Sequence, residues 1–370
     1  MIIAVNAVTP LFKPAFPVFL QDAFLKVATL QPLHQFVLIG FDNNAAAPDN
    51  CTFLNPEIKI KSPLRFNFWL NYKLPALLKK HKAGVLISYN SCSLRLKLPQ
   101  ILYTNDASFL SQPEFYKPRW LNFYKRSTPK FLQKAANIIT SSTFLQSELT
   151  TQYNIGQDKY TVLYATAAEV FKPAVNWQQK EAIKEKYTGG KEFFLYTGIL
   201  HQQNNLINLL KAFSFFKQRQ KSNMMLVLAS QTNADTTFVK SLSSYKYRAD
   251  VVLAENLPVN NLAEMITAAY ALVYPVHYDA AGANIIQALH CHIPVIASGK
   301  AALPEICGDA AVYCHEDDFN DIAAKMMLLF TNEDRRNLII AKSREQAQKF
   351  EFPTVVKQLW LLLEKIVSPA

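Results

Sequence analysis

No uninterrupted apolar run in these 370 residues is long enough to cross a bilayer, although half of the residues are apolar. That excludes a membrane-spanning protein and leaves material for two ordinary cores. Cysteine is scarce. The five, at positions 51, 92, 291, 307 and 314, are an odd, scattered set without paired metal-ligand spacing. They speak against a disulfide framework or a structural zinc site and suit reduced cytosolic thiols. MIIAVNAV at the N-terminus has no basic region ahead of its apolar residues, so a first strand is expected rather than a signal peptide. Internal repeats and low-complexity tracts are absent too. Glycine is missing from VTPLFKPAFPVFL, the segment after that strand, where Pro10, Pro14 and Pro17 stiffen the chain instead.

Acidic residues are short in one half only. Residues 1–165 carry 18 Lys and Arg against 8 Asp and Glu, so this half holds +10 of the total +11. Its densest patch, residues 114–134, interleaves Lys117, Arg119, Lys125, Arg126, Lys130 and Lys134 with Phe115, Tyr116, Trp120, Phe123 and Tyr124. An anionic membrane surface would accept such a mixture, aromatics at headgroup level and cations on phosphate. A helix that turns its aromatics inward would show the same composition. Nucleic acid ranks last as a partner, because no recognised binding module stands behind the charge.

Short apolar strands alternate with helical patterns along the whole chain, which predicts parallel sheets covered by helices on both faces. IIAVNA, HQFVLIG, GVLISY, QILYTN and NIITSS read as one sheet, with FLQDAFLKVATL and the long WLNYKLPALLKKHK as helices. FFLYTG, MMLVLAS, VVLAE, ALVYP and PVIAS read as a second, with LINLLKAFSFFKQR, NLAEMITAAY and NDIAAKMMLLF between its strands. Ala165 to Lys180, rich in Ala, Pro and polar residues, reads as the linker. The expected domains are 1–165 and 175–350.

The segment Ala271–Cys314 concentrates the chemistry. A buried strand ends at Pro275, a polar loop follows, a helix opens after Gly282, and a second buried strand runs from Pro294 to Ala297. In open parallel sheets ligands gather beyond the carboxyl ends of strands, where a helix start offers free N–H groups and the positive end of its dipole. Gly282 lets backbone approach an anion such as phosphate, or simply makes a turn or cap.

Those residues carry a resemblance. D-A-A-G-A-N-I-I-Q-A (from Asp279), H-I-P-V-I-A-S (from His292) and L-P-E-I-C-G-D-A-A (from Leu303) resemble the E-G-F-G-x-P-x-x-E-A, G-x-P-V-x-A-S and L-P-E-x-x-G-D-A-A patterns of the retaining glycosyltransferases of family 4, the group 1 family. FFLYTGILHQQNNLINLLKAFSFFKQR, NIITSSTFLQSELTTQYNI, KYTVLYATAAEVFKP and QILYTNDASFLSQPEFY are similar to further family segments, so the likeness covers nearly the whole chain. It implies an α/β chain of the GT-B fold, two Rossmann-like doubly wound domains facing a cleft. Residues 1–165 would be the acceptor side and 175–350 the donor side, with helix 352–367 packing back on the first domain. A nucleotide-sugar donor enters as substrate, with a glycan or lipid-linked acceptor. Neither cofactor nor metal is implied.

Carried over residue by residue, the likeness gives Asp279 to the donor sugar and Gln287 to ribose hydroxyls, with Gly282, Ala283 and Asn284 forming the turn between them. Glu305, in L-P-E, becomes a structural or nucleotide-side residue, and Asn105 stands where a family His meets the transferring sugar. Asn cannot titrate near neutral pH, so any acid–base role there is gone while hydrogen bonding survives. Asp106, next to it, reads as a loop cap.

The departures coincide at the donor's phosphates. An Arg and a Lys of G-R-x-x-x-x-K hold the diphosphate in the family, whereas the loop that opens with Gly198 has Ile199 and Asn204 in those places. Two charge-assisted hydrogen bonds of about 1.5 to 3 kcal/mol each are thereby lost, about a hundredfold to ten-thousandfold in binding. The helix dipole near Gly282 returns only about 0.3 to 1 kcal/mol when exposed. Lys300 and His201 are the substitute cations nearest by motif. The expected function is sugar transfer with retention to a cell-surface glycan or lipid-linked acceptor by a cytoplasmic enzyme, peripheral at the inner membrane face. A glycosyltransferase-like scaffolding subunit without catalysis is the alternative, and a donor with fewer phosphate charges a third reading.

Overall fold

Parallel strands buried on both faces need apolar runs without alternation, and FVLI, VLISY, FFLYT and MLVLA supply them. A computed structural model describes residues 1–10, 16–41, 47–56 and 60–367. Two compact units result, one from Met1–Ala165 with the segment from Phe352 onward, the other Thr166–Glu351.

The first unit begins β1 (Ile2–Asn6), α1 (Val18–Leu30), β2 (Gln35–Ile39), β3 (Cys51–Leu54), α2 (Pro63–Phe68) and α3 (Leu74–Lys80). It continues with β4 (Val85–Tyr89), β5 (Gln100–Thr104), α4 (Ser108–Ser111), α5 (Pro118–Lys134), β6 (Asn137–Thr140), α6 (Thr143–Tyr153) and β7 (Tyr160–Val162). The second unit opens with α7 (Trp177–Thr188), β8 (Phe193–Thr197), α8 (Leu206–Gln220), β9 (Met225–Ala229), α9 (Thr236–Ser243) and β10 (Val251–Ala254). Next come α10 (Val259–Ala268), β11 (Ala271–Tyr274), α11 (Ala283–His290), β12 (Val295–Ser298) and α12 (Leu303–Cys307). β13 (Ala311–Cys314), α13 (Phe319–Thr331) and α14 (Glu333–Ala347) complete it, and α15 (Phe352–Val367) returns to the first unit.

Strand order is β3-β2-β1-β4-β5-β6-β7 in the first sheet and β10-β9-β8-β11-β12-β13 in the second, with every ladder parallel. Both are doubly wound. Chain direction across the sheet reverses between β1 and β4 in one and between β8 and β11 in the other, and ligands of such sheets bind outside the strand ends at that reversal. Val355, Val356, Leu359, Leu362 and Leu363 of α15 join Leu20, Phe24 and Val27 of α1 in one buried cluster. Among the described residues no helix is long and apolar enough to cross a membrane.

Three readings change. β3, β7 and β13 add a strand at the edges of the sheets. The segment read as linker to Lys180 becomes helical at Trp177, where Asn176 caps α7 by accepting from the Gln179 amide at 2.9 Å. The long helix expected over WLNYKLPALLKKHK is interrupted by a π-helical turn, Trp69–Lys73, in which the Leu74 amide donates to the Trp69 carbonyl. Pro75 follows two residues after its end. Its ring would crowd the carbonyl four residues back in a regular helix, and the wider turn relieves this. Of the proline-stiffened segment, Pro14 lies outside the described residues, and Pro17 immediately precedes α1.

Candidate active site

In the second unit the two loops beside the reversal point are Gly198–Asn205, after β8, and Pro275–Gly282, after β11. Side chains tie them together. Asn205, in the left-handed region with φ 62°, precedes α8 and donates through Nδ2 to the carbonyls of Pro275 and Glu316, both at 2.7 Å. One buried amide thus joins the ends of β8, β11 and β13. Ser298 Oγ, at the end of β12, donates to the Val276 carbonyl at 2.6 Å.

Asp279 organises the turn. Its Oδ1 accepts from the amides of Ala281 at 2.9 Å and Gly282 at 2.8 Å, and its Oδ2 accepts from Tyr274 Oη at 2.9 Å. The Gly282 amide therefore points at Asp279. What the turn leaves toward an incoming anion is the first turn of α11, the amides of Ala283, Asn284 and Ile285, which helix geometry gives no intrahelical acceptor. Gly282 itself has φ 61°, and a Cβ there would stand 2.8 Å from Ile306 Cγ1, so α12 packs directly beneath the turn. Glycine is required twice over, by dihedral and by space.

A relay of neutral donors leads into that carboxylate. Asn284 Nδ2 donates to Tyr274 Oη at 3.0 Å, and Tyr274 donates onward to Asp279. Burial, and then the Asp279 charge, push the Tyr274 hydroxyl well above its ordinary value, so it stays a donor. Tyr196 stacks on Tyr274 with ring centroids 5.7 Å apart. Its hydroxyl, raised by the same two causes in the same order, is buried and without a hydrogen-bond partner among the described residues. Gly198, at φ 131°, brings backbone against this group, and a Cβ there would lie 3.3 Å from both Asn284 Nδ2 and Tyr196 Oη. Gln287 Oε1 is also buried without a partner. A buried polar atom left unpaired costs about 1 to 3 kcal/mol, so these are places where a polar ligand adds most.

Gly198, Asp279, Gly282, Ala283 and Asn284 thus gather at the reversal point, and Gln287 sits one turn further along α11. Ile199 is exposed, and Asn204 folds back, donating through Nδ2 to the Ile199 carbonyl at 2.6 Å. Its role is to close the loop. Lys300 Nζ lies 3.5 Å from Glu316 Oε1, a carboxylate only 5% exposed, so its charge is directed at this chain's own acid. His277, Glu316 and Asp317 present ligand atoms within 4.8 Å of one another. Lys300 already sits on that cluster. Glu305 occupies the first turn of α12. Asn105 belongs to the first unit, after β5, where its Oδ1 accepts from Tyr89 Oη at 2.9 Å. Asp106, two residues before the start of α4, accepts from the Ser108 amide at 2.8 Å and from Tyr116 Oη at 3.1 Å.

Sequence reading missed Asn205, Tyr196, Tyr274 and Glu316. Asn directly before an apolar helix was a visible signal for the first. Nothing local marks the tyrosines, which are ordinary strand residues until the two strands pair across the reversal.

The aromatics of residues 114–134 call for a correction. Trp120, Tyr124 and Phe131 of α5 are buried, and Trp120 and Phe123 stand 6.3 and 5.8 Å from Phe66 of α2. They fill the core. An i, i+4 repeat puts them on one stripe, which leaves Lys125, Arg126, Lys130 and Lys134 on the outer face, while Phe115, before the helix, stays 42% exposed.

Comparison with known proteins bears on the family and the fold. Residues 178–346 match the family model of the group 1 glycosyl transferases. O-antigen chain mannosyltransferase B of Escherichia coli is 22% identical over 255 residues, 69% of this chain and 67% of that protein. A serotype-specific mannosyltransferase of Escherichia coli is 21% identical over 253 residues, and the alignment spans 67% of this chain but only 30% of that longer protein. Among solved structures, sucrose-phosphate synthase from Thermosynechococcus elongatus superposes with a TM-score of 0.80 at 15% identity, covering all of both chains. Two doubly wound parallel sheets give the chain the GT-B fold of these structures, and within its second unit residues 178–346 are similar to the group 1 glycosyl transferases.

Proposed function

We propose that the chain transfers a hexose, with retention, from a nucleotide-sugar donor to a glycan or lipid-linked acceptor at the cytoplasmic face of a membrane. The observation that carries this is the group at the ends of β8 and β11: Gly198 and Gly282 keep backbone bare, part-buried Asn284 and the buried, unpaired Tyr196 Oη lie beside Gly198, and the buried Gln287 Oε1 follows one turn along α11. Mannose is the favoured hexose, since the relatives above are named as mannosyltransferases.

In this reading Gln287 accepts a ribose hydroxyl, and the amides at the start of α11 receive phosphate. Asp279 fixes the turn and offers its remaining acceptor capacity to a sugar hydroxyl. The barrier falls through positioning of the donor and stabilisation of the departing diphosphate. Asn105, in the first unit, keeps hydrogen bonding and offers no proton transfer. Glu305 and Lys300 flank the nucleotide side.

One specific observation favours the inactive scaffolding alternative. Ile199 and Asn204 bring no charge to the diphosphate, and Lys300 is committed to Glu316. Calorimetry against a panel of nucleoside diphosphates and their sugars separates the two. Heat of binding at micromolar ligand supports the transferase, and silence up to millimolar ligand sinks it. Lys300→Ala adds the finer result: binding is abolished if Lys300 replaces the lost cations, and unchanged if its charge serves only Glu316.

A further inference from the structure

The first unit carries an apolar surface that its neighbours do not cover. Leu64 and Phe68 of α2 are 82% and 52% exposed, and Tyr72 of the π-helical turn and Leu94 are 46% and 40% exposed. Successive steps of four residues place Leu64, Phe68 and Tyr72 on one face. The opposite face holds Phe66, Trp69, Leu70 and Leu74, all buried. The widened turn sets the Phe68 and Tyr72 rings in a stack, centroids 5.2 Å apart and planes 23° from parallel. Asn71, buried, accepts from the Leu94 amide through Oδ1 at 2.8 Å and so holds the Leu94 loop beside Tyr72. Arg95 then lies over the Tyr72 ring, Cζ 4.3 Å from its centroid.

Along the chain, the segment that builds this surface carries charge of one sign. From Ile60 to Asn105 the sequence contains eight Lys and Arg and no Asp or Glu. Lys61, Arg65, Lys73, Arg95 and Lys97 of that set are exposed.

We propose that the face formed by Leu64, Phe68, Tyr72 and Leu94, with Lys61, Arg65, Lys73, Arg95 and Lys97 of the same segment, docks this unit on an anionic lipid bilayer. Aliphatic and aromatic side chains enter the interface while cations meet phosphate, and each Lys or Arg near such a surface contributes about fivefold in partitioning. Nucleic acid would match the cations but gain little from Leu64, the most exposed member of the face. The proposal extends the membrane side of the function above and rests on that reading only for its purpose. Its test needs no sugar donor, so either can fail alone.

The experiment is sedimentation of the full chain with vesicles of mixed phosphatidylglycerol and phosphatidylcholine, and with phosphatidylcholine alone, at about 0.1 M salt. The expected result is binding to the anionic vesicles only. Leu64→Ser with Phe68→Ser should lower the partition coefficient more than tenfold, and Arg65→Glu with Lys73→Glu by a similar factor. Leu33→Ser, at a residue 90% exposed elsewhere in the same unit, should leave it unchanged. Unaltered thermal unfolding of the variants separates docking from folding. Equal binding to both kinds of vesicle, no binding to either, full binding by the Leu64/Phe68 variant, or retention on a polynucleotide but not on vesicles would each overturn the proposal.

Discussion

The two units are wound alike and equipped differently. In the second, the reversal of strand order is knotted by side chain–backbone hydrogen bonds, Asn205 to two carbonyls, Asp279 to two amides and Ser298 to a third carbonyl. In the first, among the described residues, the corresponding strands β1 and β4 are joined side chain to side chain, Asn6 Nδ2 donating to Ser88 Oγ at 3.1 Å. The first unit instead carries the charge, +10 over residues 1–165 against +1 for the remainder. A common architecture thus serves two tasks. One unit fixes a backbone turn closely enough to meet a small ligand, while the other spreads cations over a surface, where position matters less than sign.

Removing the knot should give the largest effect. Asn205→Ala deprives two buried carbonyls of their donor and asks Ala to hold a left-handed dihedral, which together cost about 3 to 5 kcal/mol. Hydrogen exchange followed by mass spectrometry should show loss of protection through β8, β11 and β13, with β1 and β4 unchanged. Equal loss in both units would break the comparison. Gly282→Ala comes next, at about 1 to 3 kcal/mol, from strain at φ 61° and the Ile306 contact. It should abolish donor binding in calorimetry while far-UV circular dichroism stays unchanged.

Smallest is a pH effect, carried in the second unit by His290 and His292, to which His34 of the first unit, lowered chiefly by burial, adds with the same sign. Burial, chiefly, lowers His290, and burial together with Arg344 and His290 lowers His292. Both are therefore held neutral in the fold. A base whose folded value lies below its unfolded one contributes stability fully above about pH 6.5, and loses it as pH falls through the folded value. The unfolding temperature should accordingly drop between pH 7 and pH 5, and His290→Gln should flatten that slope. An unchanged slope in the variant would remove His290 from the account.

Much of this was legible in the chain. Ten of the strands stand out as apolar runs because parallel strands buried on both faces tolerate little else, and Gly282 shows as a lone glycine opening a helix. The strands missed, such as CTFL in β3, are short edge segments whose burial is incomplete and whose pattern is correspondingly weak. The fate of Trp120 and Tyr124 lay beyond composition. Cations and aromatics in alternation describe an inward-packed helix and a membrane-facing one equally, and only the position of Phe66 across from α5 decides between them.

Local sequence, then, determined strand and helix identity, the reversal-point turn and the absence of cations at positions 199 and 204, because each depends on residue type over a few neighbouring positions. Tertiary structure alone decided that Asp279 turns its carboxylate onto the Gly282 amide, that Lys300 answers Glu316, and that Asn205 ties three strand ends together. Those partners lie from 3 to 111 residues apart. Distance along the chain carries no information about which polar group will be nearest once the sheet has formed, and a buried polar group must bond to whichever partner the packing leaves within reach.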